Sequence, residues 1–93
     1  MKNKREMCLE QAKACVLKDR NSTYGEPENS FGHIAELWSV YSGYPHTATD
    51  VAVMLALLKI ARIRSNPYHF DNFVDLAGYA VCAAECVKDG ENE

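Results

Sequence analysis

Ninety-three residues, 47% hydrophobic and 25% charged with a formal net charge of −3, describe one globular domain (1–93) with room for a single core. The acidic balance, with a pI near 5.6, argues against nucleic-acid polymers and anionic membrane surfaces as partners. The first six residues are rich in charge with no apolar stretch behind them, and the longest apolar run, Val51 to Leu58, is too short to span a bilayer. A cytoplasmic protein is therefore expected.

The pattern predicts four helices. The first runs from about Lys4 to Lys18, with Met7, Leu9, Ala12, Cys15 and Val16 as its apolar positions. Asp19 to Glu26 reads as a loop, because Asn-Ser-Thr and Tyr-Gly are turn chemistry. Pro27 suits the first position of a second helix, on which Phe31, Ile34, Ala35, Trp38 and Tyr41 form an amphipathic stripe. This periodicity makes Phe31 and Trp38 core residues. Ser42 to His46 interrupts, and Thr47-Ala48-Thr49-Asp50 has the form of a capping box.

The third helix, Ala48 to about Arg64, is apolar nearly all round and is expected to be the central and most buried element. Ser65-Asn66-Pro67 ends it. Asp71 or Asn72 is expected to cap a fourth helix reaching about Lys88, followed by a frayed charged tail from Asp89 to Glu93. With no sustained alternation of period two, the fold class is all-α: a compact bundle of about four helices. Cys8 and Cys15, like Cys82 and Cys86, lie at helix-face spacings, which suggests reduced core residues joining the first and last helices rather than a zinc site. His33, His46 and His69 show no ligand spacing. A helical domain this small gains stability by assembly, so a homo-oligomer is expected.

Two clusters can carry chemistry. Lys59 and Arg62 stand at i and i+3 on the third helix, where cations on a fixed surface suit a phosphate and Arg supplies a bidentate fork. Arg64, with Lys18 or Arg20, could extend this patch. Asp71 and Asp75 stand at i and i+4 on the fourth helix, with Tyr79 continuing the face. Such a pair either holds Mg²⁺ beside substrate phosphates or forms salt bridges with the basic pair across the helices. Gly78 costs about 1 kcal/mol in a helix interior, which points to close packing or to room for a ligand. The hydroxyls, amide and aromatic ring of the loop holding Arg20 and Tyr24 suit a nucleoside or phosphate.

The residues Arg20-x3-Tyr24-Gly25, Pro27-Glu28-Asn29-x-Phe31, Ile34-Ala35-x2-Trp38, Leu58-Lys59-Ile60-Ala61-Arg62 and Val74-Asp75-Leu76-Ala77-Gly78-Tyr79 together resemble a family of short phage and prophage proteins of unknown function. More distantly, the Tyr-Gly loop, the Lys-x2-Arg helix and the Asp-Leu-Ala-x-Tyr-Ala helix are similar to a nucleotide-modification-associated phage domain. The all-α nucleoside triphosphate pyrophosphohydrolases of the MazG type are a looser comparison. That comparison implies Mg²⁺-dependent release of pyrophosphate, with Glu-x2-Glu on one helix and Glu-x2-Asp on a later one. Here the later pair would be Asn72-x2-Asp75 or Asp71-x3-Asp75, and the earlier pair is missing.

These observations define three expectations. The first is a small phage-type nucleotide-binding protein without a cofactor, sequestering a nucleotide second messenger of bacterial anti-phage immunity such as a cyclic dinucleotide or a cyclic ADP-ribose relative. Its site would be Arg20, Tyr24, Lys59, Arg62, Asp75 and Tyr79. The second is a Mg²⁺-dependent pyrophosphohydrolase using Asp71 and Asp75, with Glu28 or Glu36. The third is a helical interaction module whose charges only set helix register.

Overall fold

The structure, a computed structural model, describes residues 2–19 and 27–87. Helix α1 spans Lys4–Ala14 and continues as a π-helical turn, Cys15–Asp19; α2 spans Pro27–Ser42, α3 Ala48–Ser65 and α4 Phe70–Glu85. The fold is an all-α bundle, as the periodicity implies. The first helical segment differs only in ending one residue further on, in the wider π geometry. The expected loop at 20–26, with Arg20 and Tyr24 in it, and the tail from residue 88 onward lie outside the described residues.

Local chemistry accounts for the boundaries. Asn3 begins α1 by accepting the Glu6 backbone N–H on its Oδ1 at 2.9 Å. Gly43, with φ of +81°, turns the chain out of α2 in a conformation that favours glycine. The elbow that follows is tied back to α2: Ser39 Oγ donates to the Ala35 carbonyl at 2.7 Å and accepts the His46 backbone N–H at 2.8 Å. The His46 ring stands edge-on to Trp38 at 6.3 Å. Thr47 and Asp50 form the full capping box of α3, with bonds of 2.9 and 3.1 Å.

The start of α4 differs from expectation. Neither Asp71 nor Asn72 is the cap; the cap position is His69, with no side-chain capping bond. The reason lies upstream, where Asn66 Oδ1 accepts the Tyr68 N–H at 3.2 Å. This Asx turn around Pro67 reverses the chain early enough for helix to begin at Phe70. Asp71 then stands in the first turn, where its charge complements the helix dipole. Asn72 is buried at 6% exposure.

The core joins Val16 from the π turn, Phe31 and Ala35 from α2, Val51 and Ala52 from α3, and Cys82 from α4, with Trp38 packed against it. Helix α4 packs on α1, α2 and α3, while α3 packs on α2 and α4. The expectation that α3 is the most buried element is corrected. It buries only Val51 and Ala52, whereas α4 buries Asn72, Val74, Gly78 and Cys82. Too few described helices pack around α3 to surround it, so Val53, Met54, Leu57, Leu58 and Ile60 stay exposed. The radius of gyration, 14.3 Å, exceeds the value of about 12 Å for a compact chain of this length. None of the four cysteines forms a disulfide, but Cys15 is exposed rather than a core residue, since the core position at this turn is taken by Val16.

Candidate functional site

The seam between α3 and α4 brings the two charged clusters together. Lys59 Nζ lies 2.8 Å from Asp75 Oδ2, with the lysine side chain 16% exposed and the aspartate 40% exposed. The lysine stem is thus largely covered while its ammonium is held by a carboxylate that still meets water. This realises half of the expected salt-bridge pattern. Arg62 and Asp71 make no ion pair among the described residues, and both are exposed.

Two recesses meet at the pair. The inner one, about 260 Å³, is lined by Cys15, Val16, Lys59, Asp75, Gly78 and Tyr79 among others. The outer one, about 430 Å³, is lined by Lys59, Arg62, His69, Asp71 and Asp75 together with Ser65 and Asn66. Of the residues expected from sequence, Lys59, Asp75 and Tyr79 share the inner recess, and Lys59, Arg62, Asp71 and Asp75 share the outer one. Arg64 does not join them. It stands about 140° around α3 from Lys59 at 100° per residue, on the opposite face.

The wall of the inner recess is set by Gly78. A Cβ at this position would come within 3.3 Å of Val16 Cγ1, so a larger residue would push the π turn away from α4. Of the two expectations for this glycine, close packing is what the contact with Val16 shows, and Gly78 also lines the recess. Cys15, Val16 and His69 were not recognised as lining residues. The π turn aligns the first two with α4, and this bulge leaves no mark in hydrophobic periodicity. His69 follows from the Asx turn at Asn66, which was a usable signal.

The carboxylates do not suit a divalent cation. Asp75 already engages an ammonium through Oδ2, and a cation placed beside Asp71 and Asp75 would meet that ammonium at close range. Among the described residues no three His, Cys, Asp or Glu side chains are grouped as metal ligands. A larger hollow of about 960 Å³ lies on the other flank, bounded by Gly32, Ala35, Glu36, Ser39, His46 and Cys86 among others. Its described lining residues include no lysine or arginine. No described helix is long and apolar enough to cross a membrane.

Residues 7–87 match the profile of a domain of unknown function, DUF6378. The chain is 43% identical over 84 residues to the Gene 55 protein of Mycobacterium phage D29, covering 90% of this chain and 56% of that protein. It is 45% identical over 73 residues to the Gene 55 protein of Mycobacterium phage L5, covering 77% and 47%. The chain thus spans about half the length of these curated relatives. No solved structure matches it. The chain belongs to the DUF6378 family, a phage protein family of unknown function.

Proposed function

We propose, with membership of this phage family as the premise, that the α3–α4 seam binds a phosphorylated nucleotide without cleaving it. The observation that carries this reading is the Lys59–Asp75 pair at the junction of two recesses, with Arg62 on the outer lip making no ion pair among the described residues. A lysine held at 2.8 Å by a half-solvated aspartate has a fixed position, so it can meet phosphate with little further ordering. Arg62 supplies a second, bidentate contact to the same phosphate. The nucleoside enters the inner recess beside Tyr79, and Asp75 accepts from a ribose hydroxyl with its second oxygen. Arg20 and Tyr24, expected from the sequence to join this site, lie outside the described residues.

The poor donor set for Mg²⁺ among the described residues favours binding over pyrophosphate release. A phage protein that holds a nucleotide intact in the host cytoplasm fits sequestration of an immune second messenger, a cyclic dinucleotide or a cyclic ADP-ribose relative. This part of the reading rests on the phage relatives and on general analogy.

The test is a calorimetric titration of the protein with cyclic dinucleotides, cyclic ADP-ribose and linear nucleoside triphosphates, with and without Mg²⁺, followed by chromatography of the ligand. Binding of an intact nucleotide independent of Mg²⁺ is expected. Recovery of a nucleoside monophosphate and pyrophosphate would establish the pyrophosphohydrolase instead. Arg62→Ala should weaken binding at least tenfold while changing stability by less than about 0.5 kcal/mol, because Arg62 is exposed and bridges nothing among the described residues. Failure of every nucleotide to bind would leave the charges as determinants of helix register.

A further inference from the structure

The face of α3 opposite its packed side carries Val53, Met54, Leu57 and Ile60, which are between 41% and 57% exposed. At about 100° per residue, these positions lie within about 60° of Leu57, as do the exposed residues Asp50, Ala61 and Arg64. The order 50, 53/54, 57, 60/61, 64 is a heptad seam. Leu57 is its midpoint, seven residues from an acid at one end and seven from a base at the other.

That arrangement is complementary to itself in one orientation. When a second α3 lies antiparallel with Leu57 opposite Leu57, Asp50 of each copy stands beside Arg64 of the other, twice by symmetry. A parallel pairing sets acid on acid and base on base. Asp50 uses Oδ2 to cap its own helix, which leaves Oδ1 for Arg64 of the second copy. The arginine also stands near the end of α3, where its charge suits the helix dipole. Ala61 is small enough for the backbones to approach.

We infer that this face is a twofold interface, in which α3 pairs antiparallel with α3 of a second copy about Leu57. The interface lies on the side of α3 away from Lys59, so it stands or falls separately from the proposed nucleotide site. A single helix pair buries less than the ~800 Å² per partner of a standard interface. The dimer is therefore expected to dissociate on dilution.

Sedimentation across the micromolar range tests this. The mass of the unaltered chain should rise with concentration from 10.4 kDa toward twice that value. Leu57→Arg should hold it at the monomer mass with an unchanged helical circular-dichroism spectrum, since Leu57 is 57% exposed and outside the core cluster. Arg64→Glu should weaken the dimer about tenfold, from two repelling pairs. Adding Asp50→Lys to Arg64→Glu should restore association, even though the lost cap lowers the melting temperature. A chain that stays monomeric throughout overturns the inference. So does an oligomer indifferent to Leu57→Arg, or a charge swap that fails to recover what Arg64→Glu removes.

Discussion

Helices α3 and α4 are neighbours of similar length and both are rich in apolar residues, yet they are treated oppositely by the fold. In α4 the buried residues Val74, Gly78 and Cys82 recur every four positions and form one closed line against the rest of the subunit. In α3 burial is confined to Val51 and Ala52 at its first turn, and the apolar residues beyond them divide between a packed and an open side. Apolar content does not by itself show how much of a helix its neighbours cover. A clean stripe, as on α4, is covered by the neighbouring helices. A helix apolar all round needs covering on more sides than two neighbours provide.

Substitutions can break or sharpen this contrast. The largest effect is expected beneath the closed side of α3, where Phe31 packs in one cluster with Val51 and Ala52 at 6% exposure. Phe31→Ala should cost roughly 3–5 kcal/mol in urea unfolding. A loss near 1 kcal/mol would mean that the closed side is as loosely covered as the open one.

A smaller effect is expected at the line on α4. Gly78→Val places carbon where Val16 Cγ1 is 3.3 Å from an added Cβ, and overpacking of this kind should cost roughly 1–3 kcal/mol. It should also disturb the proposed nucleotide binding, because the same glycine edges the inner recess. A neutral result would show that the π turn moves freely over α4.

The smallest effect is expected on the open side. Leu57→Ala should change the stability of the dilute chain by less than about 0.5 kcal/mol, while reducing the rise of melting temperature with protein concentration that a dimer confers. A cost of several kcal/mol at high dilution would place Leu57 in the core of the single subunit and erase the difference between the two helices.

The candidate site shows how far sequence reading extends and where it stops. Lys59, Arg62, Asp71, Asp75 and Tyr79 stood out because charge and small residues are unusual within apolar helices, and the seam does gather them. Which carboxylate meets which cation was open, since helical spacing places each pair on its own helix but says nothing of the crossing between helices. The Asx turn at Asn66 and the 2.8 Å contact of Lys59 with Asp75 resolve it. Cys15 and Val16 were missed as neighbours of the site because they reach it through a π turn.

By itself the sequence determined the helical class, the capping box at Thr47 and Asp50, the stop at Gly43, and the residues in which charge is concentrated. These follow from interactions within a few residues, such as a side chain capping a backbone N–H or a glycine accepting a positive φ. Only the tertiary structure decided that His69 precedes α4, that Asp75 rather than Asp71 takes Lys59, and that α3 has an open side. Each of these depends on how many neighbours a single small subunit can place around a helix and at what angle, which local periodicity does not record.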